Sequence, residues 1–315
     1  MKVLCIVLIV LAVLLVLVLA GAFIAYRMAF YSGKRKTEDK EKIDIPEGEI
    51  YEPFREVMTN WILEARKMPQ VELTAISFDG LKLSGKYFEY SPDSPIELMF
   101  PGYHGVAERE LCGGVQRCFA LGRSAIIVDQ RGCGLSEGKV ITFGVNESRD
   151  VLSWLEVIKE NFGTKRKVIL TGISMGAATV MCAASYDLPE NVVGIIADCG
   201  YTTPKKIIKK VIKDMKLPPN LLYPLVCLGG LVFGHFNIGK ISPEKAMKAC
   251  QIPVFFTHGD NDDFVPHSMS VDNFNACNAP KKLLTAKGAG HGLAYLVSPE
   301  EYIEALREIE KEYKF

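Results

Sequence analysis

Residues 168–178 read VILTGISMGAA, and the fold follows from how this stretch is read. Val168, Ile169 and Leu170 form a short apolar run of the kind that makes a buried strand. Gly172-Ile173-Ser174-Met175-Gly176 then breaks it, and Ala177-Ala178 opens a run of small residues suited to a closely packed helix. A strand that must turn sharply into a helix needs small neighbours on both sides of the turn, and the residue at its tip is lifted out of the sheet. At this glycine and serine content a GxSxG pattern arises by chance in roughly one such chain in ten, so its position between strand and helix carries the weight. Ser174 is the candidate nucleophile.

Working outward, short apolar segments at 96–100, 125–129, 192–198, 253–257 and 282–285 also read as strands. Helical spacing falls near 113–121, 145–161, 175–186, 267–277 and 298–313. Such alternation implies a mainly parallel sheet with helices on both faces and ligands beyond the strands' carboxyl ends. Ahead of it, 71–78 and 81–90 flank Asp79-Gly80, a hairpin signal. Residues 51–68 set Phe54, Val57, Met58, Trp61, Ile62 and Ala65 at helical spacing, predicting an amphipathic entry helix. One longer insertion, about 203–249, is basic first and apolar later. Pro224, Gly229, Gly230 and Gly234 interrupt its apolar run, which argues against a second membrane span. A helical lid over a pocket is expected, with an extra helical layer on the sheet as the alternative.

A serine hydroxyl is a poor nucleophile near neutral pH and needs a base that is itself oriented by an acid. Two segments supply both in the order Ser, Asp, His. The first, from His258 to Pro266, carries Asp260, Asp262 and Asp263 just after a strand; the second is Gly288-Ala289-Gly290-His291-Gly292. Both fall at strand carboxyl ends, on the edge that carries Ser174. Asp198 ends another strand and is a more remote candidate acid. Of the remaining histidines, His258 is expected to be structural and His267 to begin a helix. His104 follows a strand, and His235 is uninformative.

Together these segments resemble the α/β-hydrolase superfamily, in its serine esterase, lipase and aminopeptidase-like branch, over roughly residues 70 to 313. Besides GISMG, residues 128–138 (VDQRGCGLSEG) look like that branch's DxRGxGxS loop, 258–266 like its HGxxDxxVP segment, and Gly290-His291 like its terminal GH. The resemblance implies an eight-stranded, mostly parallel sheet with helices on both faces and a small lid. It assigns the acid to Asp262 and the base to His291. It also implies two backbone amides that stabilise an oxyanion, one from Met175. The family's His-Gly after the third strand is replaced by Pro101-Gly102-Tyr103-His104-Gly105, so the second amide is Tyr103 in one register and Val106 in the other. Tyr103 puts the turn directly at the strand's end and is preferred. No metal or organic cofactor is implied. Arg131 is expected to tie its loop to nearby carbonyls or carboxylates.

Three hundred and fifteen residues, 49% apolar and 23% charged, allow one large α/β domain with a sizeable core. Lys plus Arg balances Asp plus Glu at 37 each, which gives no support to nucleic acid as a partner. Residues 3–25 hold no charge over 23 positions and as a helix would reach roughly 35 Å, enough to cross a bilayer. A cleaved signal peptide ending near Ala20-Gly21-Ala22 competes, but the apolar run is longer than such segments need. The expected organisation is an anchor at 1–26, a juxtamembrane linker at 27–50 and a hydrolase domain at 51–315. Lys2 and the amino terminus flank one end of the helix and Arg27, Lys34, Arg35 and Lys36 the other, so the positive-inside bias favours a cytoplasmic domain over an extracytoplasmic one. Nine cysteines without a CxxC pair lean the same way.

The function expected is a membrane-anchored serine hydrolase acting on carboxylic esters, with lipophilic acyl groups suggested by the anchor. A peptidase or amidase would use the same triad; an aminopeptidase would want acidic groups near its pocket to hold a free amine, and the insertion, basic first and apolar later, disfavours it. A non-catalytic binding protein of the same fold is the third reading. The oligomeric state cannot be read from the sequence.

Overall fold

The computed structural model describes residues 1–33 and 43–313. Lys34, Arg35 and Lys36, on which the orientation argument partly leans, lie outside the described residues. Eight strands form one sheet: β1 (Val71–Ile76), β2 (Lys82–Phe88), β3 (Ile96–Phe100), β4 (Ser124–Val128), β5 (Val168–Ile173), β6 (Val192–Asp198), β7 (Val254–Gly259) and β8 (Lys281–Ala286). Their order is β1-β2-β4-β3-β5-β6-β7-β8. The hairpin partner β2 runs antiparallel to both its neighbours, and every other pairing is parallel. From β3 the chain crosses to β4 on one side and then back past β3 to β5 on the other. Crossovers in opposite directions leave a crevice at the carboxyl ends of β3 and β5, where open α/β sheets bind ligands.

Eleven helices complete the described fold, beginning with α1 (Lys2–Ala29), α2 (Arg55–Lys67) and α3 (Ala107–Ala120). Then come α4 (Glu147–Phe162), α5 (Met175–Ala183), α6 (Pro204–Asp214) and α7 (Pro219–Val232). The last four are α8 (Pro243–Ala249), α9 (Ser268–Ala276), α10 (Ala294–Val297) and α11 (Pro299–Tyr313). Strand residues alternate between two cores, as a period of two requires. Ile96, Leu98 and Phe100 meet α4, α5 and α8, whereas Met99 meets α2 and α3. Helix α11 covers the β6–β8 end of that second face.

The insertion divides where the expectation had it whole. Helices α6 and α7 stand over the carboxyl edge of the sheet, with Ile207, Ile208 and Val226 facing Met175 and Tyr201. Helix α8 returns to the body, its Met247 buried among the residues of the main core. Within 203–249, α6 and α7 thus lie over the sheet's carboxyl edge, where a lid was expected, and α8 packs as a layer on the main core.

The long helix α1 has two regimes. No residue before Ala22 is buried, whereas Ala22, Tyr26 and Phe30 are. The buried set faces α7, where Gly229 permits the approach: a Cβ there would sit 2.4 Å from the Ala22 carbonyl oxygen. Close helix contact through small residues is the packing mode that works beside lipid. Phe30 packs edge-on against Phe143 and Phe236. Past the helix, Tyr31 bridges Val140 and the Phe30 carbonyl accepts from the Ile141 amide at 2.8 Å. The helix therefore runs to Ala29 rather than stopping at residue 26, and residues 29–32 are bonded to the body where a juxtamembrane linker was expected. The apolar pattern of Tyr26, Ala29 and Phe30 carries it past Arg27, whose guanidinium lies over the Tyr31 ring.

One charge cluster holds the sheet to its outer helices. Glu97, fully buried in the middle of β3, accepts from Arg117 of α3, from Arg123 at 2.6 Å and from the Thr171 hydroxyl at 2.9 Å. Arg123 also pairs with Glu310 of α11. Burial alone would push the Glu97 carboxyl up, but the two guanidiniums win and hold it below the ordinary carboxylate value. Removing one charge from such a cluster leaves the others buried and uncompensated. We expect Glu97→Gln to cost about 3–5 kcal/mol in urea unfolding of the full chain in detergent. A loss below about 1 kcal/mol would mean that water reaches the cluster.

Candidate active site

Ser174 sits at the tip of the turn between β5 and α5 with φ 56° and ψ −113°, a backbone conformation costly for a residue with a Cβ. The glycines make it possible. A Cβ on Gly172 would come 2.1 Å from the backbone of Gly176, and one on Gly176 would come 2.1 Å from the Phe100 carbonyl oxygen. The Ser174 amide donates to the Asp198 carbonyl at 2.8 Å, which fixes the turn to the next strand.

The loop after β3 lies beside it. A Cβ on Gly102 would be 3.5 Å from that of Ser174. The Gly102 amide donates to Glu110 at 2.7 Å, and the Gln130 side chain donates to the Pro101 carbonyl at 2.6 Å. The next amide along, that of Tyr103, finds no protein acceptor among the described residues, and neither does that of Met175. Tyr103 lines the cavities that contain Ser174, whereas Val106 lies behind, near Asp129. The Tyr103 hydroxyl donates to the Ala29 carbonyl in the last turn of α1 at 3.0 Å. Burial, aided by Cys133, pushes that phenol up to about 12, so it stays a donor.

The acid loop and the histidine loop meet. His291 Nδ1 lies 2.7 Å from Asp262 Oδ2, and Asp262 Oδ1 accepts the amides of Phe264 and Val265 at 2.9 and 2.8 Å. Asp260 instead accepts the Gly288 amide at 2.6 Å, tying one loop to the other. Neither Asp198 nor Asp263 bonds to His291. Burial would raise the Asp262 carboxyl, but hydrogen bonds and charge from His258 and His291 hold it well below the usual carboxylate range. His291 and Ser174 share a cavity, and no hydrogen bond joins the Ser174 hydroxyl to the imidazole. Catalytic contacts of this kind are often long in unliganded enzymes and tighten around a substrate.

Sequence reasoning left several neighbours without a role in the site. His258, fully buried, donates from Nε2 to the Val265 carbonyl at 2.8 Å and to Asp262 Oδ2 at 3.0 Å, while its Nδ1 meets the Ser270 hydroxyl. It is structural, as expected, but its contact is with the acid itself. Glu110 and Gln130 hold the 101–105 loop. Asp129 accepts the Ala107 and Leu135 amides, and Arg131 forks onto Asp150 and Asp79. Cys199, Asp262 and His291 bring one potential ligand atom each within 4.8 Å of one another. Burial pushes the Cys199 thiol far above its ordinary value and Asp262 is already engaged, so this set is poorly suited to a metal.

Ser174 stands between two cavities. One, about 480 Å³, is bounded by His291, Glu110 and the segment 46–51. The other, about 730 Å³, is bounded by Met175, Tyr201, the lid helices and the end of α1. Tyr103 and Phe264 border both.

A family profile described as alpha/beta hydrolase fold matches residues 98–225. The protein YqkD of Bacillus subtilis is 25% identical over 60% of this chain, and the match spans only 62% of YqkD. An esterase of Pyrococcus furiosus superposes with a TM-score of 0.63 at 21% identity, over 79% of this chain and 95% of its own. An acylaminoacyl peptidase of Pyrococcus horikoshii does so at 0.59 and 17%, over 80% of this chain and 43% of its own. With the strand order and the turn at Ser174, these likenesses show that the chain has the α/β-hydrolase fold.

Asp198 offers a pH test. Burial, against the pull of His258, Arg117 and His291, pushes its carboxyl up to about 6, and one of its oxygens lacks a hydrogen-bond partner. A pKa raised in the folded state means that ionisation opposes folding. The cost is absent below the unfolded value near 4 and complete above about 6. We expect Asp198→Asn to stabilise the protein by roughly 3 kcal/mol at pH 8, with the gain fading towards pH 4. Equal effects at both pH values would show that the carboxyl is not shifted.

Proposed function

We propose that this chain of α/β-hydrolase fold is a membrane-anchored serine hydrolase that cleaves carboxylic esters through Ser174, His291 and Asp262. The observation that carries this reading is the Asp262–His291 contact at the wall of the cavity that also holds Ser174. Asp262 holds the imidazole with Nδ1 protonated, leaving Nε2 free to take the Ser174 proton as its oxygen attacks the ester carbonyl. The amides of Tyr103 and Met175, which have no acceptor among the described residues, stabilise the oxyanion. His291 then protonates the departing alcohol, and water releases the acyl group by the same route.

Helix α1 supports membrane anchoring. Its unburied part, Lys2 to Gly21, is about 30 Å long, the thickness of a bilayer's hydrocarbon core. Gly21 and Ala22, which cleavage would remove, pack on α7 beside Leu225 and Gly229, which favours a retained helix. Arg27 at its domain end and nine free thiols fit a cytoplasmic domain.

We expect full-length protein in detergent to hydrolyse p-nitrophenyl esters, with Ser174→Ala lowering turnover by at least ~10⁴-fold. A fluorophosphonate should label Ser174 in the wild type. Labelling without ester turnover would move the reaction to amides, and no labelling would overturn the serine-hydrolase reading.

A further inference from the structure

We infer that the last turns of the membrane helix form a wall of the acyl-binding chamber, so that the substrate is a long-chain acyl ester entering from the bilayer. This rests on the serine-hydrolase reading above and adds to it which chamber takes the acyl group, what bounds it and where it opens.

The two cavities differ in what each step of acyl transfer needs. The group leaving Ser174's adduct must collect a proton from His291, and His291 borders only the smaller cavity. Met175, which supplies an oxyanion amide, borders only the larger one. The leaving alcohol therefore belongs with His291 and segment 46–51, and the acyl chain points the other way.

The larger chamber suits a hydrocarbon chain. Its walls are aliphatic and aromatic, from Ile24, Ala25 and Met28 of α1, Ile207 and Val211 of α6, and Leu222 of α7, among others. Of the side-chain hydroxyls that border it, those of Tyr103 and Tyr201 are already bonded, to the Ala29 and Phe143 carbonyls, which leaves Ser174 as the polar end. Its volume of about 730 Å³ lies in the upper part of the range for pockets that enclose drug-sized ligands.

Its mouth lies where α1 leaves the body. Ile24 and Met28 are exposed on the same helix whose preceding twenty residues are long enough to cross a bilayer, and Met215 and Leu217 are exposed beside them on the lid. With those twenty residues in the membrane, this rim sits at its surface. A chain passing from lipid to the chamber exchanges one apolar surrounding for another, so it need not cross water. From water, each buried methylene favours binding roughly fourfold.

The test uses the full chain in detergent and a dodecyl fluorophosphonate with a diazirine at the chain end. Ser174 Oγ displaces fluoride from phosphorus; light then expels N₂, and the carbene inserts into a neighbouring C–H bond. Cross-links within residues 21–29 and in α6 or α7 are expected. Phosphonate on Ser174 with cross-links confined to segment 46–51 would overturn the chamber assignment alone. No phosphonate on Ser174 would overturn the serine-hydrolase reading and this inference with it. Independently, Ala25→Trp should lower the ratio of palmitate to acetate turnover, each measured on the same variant, at least tenfold. An unchanged ratio would count against α1 as a chamber wall.

Discussion

The site depends on a backbone turn that an L-residue adopts only under constraint. Ser174 is held at positive φ because β5 ends against β3 and β6, while α5 begins at once beneath it with all nine of its residues buried. A residue in such a conformation costs on the order of 1–3 kcal/mol, and the surroundings must over-determine it to keep it there. Here they do so through contacts that leave no room for side chains at Gly172 and Gly176. The outcome is a hydroxyl at the switch point of the sheet, with two amides beside it that no described carbonyl accepts. The proposed nucleophile and the proposed oxyanion site are thus consequences of one packing arrangement.

How much of this was legible follows from where the partners lie in the chain. All six βα-region strands were found within two residues because buried parallel strands are short apolar runs with turn residues behind them. GISMG and the 258–266 and 288–292 segments were legible because each function sits in a contiguous stretch. Helix α3 was expected near 113 but starts at Ala107, because its first amide is capped by Asp129, twenty-two residues away, and no local capping residue announces it. Glu110, Gln130 and the link from His258 to Asp262 were missed for a related reason. Their partners are a loop amide, a loop carbonyl and a shared carboxylate oxygen, none of which has a sequence signature.

The end of α1 was misjudged for a different reason. Hydropathy marks where a helix is apolar but is silent on whether lipid or protein covers it. The two parts of α1 have similar side chains, and what separates them is the partner, Gly229 on α7, more than 200 residues later. A linker starting at Arg27 was the natural reading of the first charge after an apolar run. The structure instead bonds Phe30, Tyr31 and Ser32 to residues 139–141, so the helix ends inside the body.

That attachment constrains how any ester reaches Ser174. The Tyr103 hydroxyl holds the Ala29 carbonyl, and the adjoining Tyr103 amide belongs to the proposed oxyanion site, so the end of α1 and the reacting atoms are separated by a single residue. A soluble fragment beginning near residue 45 would lose the wall contributed by Gly21 to Ala29 and the acceptor for that hydroxyl, and would expose the faces of Val226, Gly229 and Phe236 that now meet α1. Weak activity in such a fragment would therefore say little about the intact enzyme. On the proposed anchoring, α1 would both localise the domain and complete it, because the residues that leave the bilayer are the same ones that border the larger cavity.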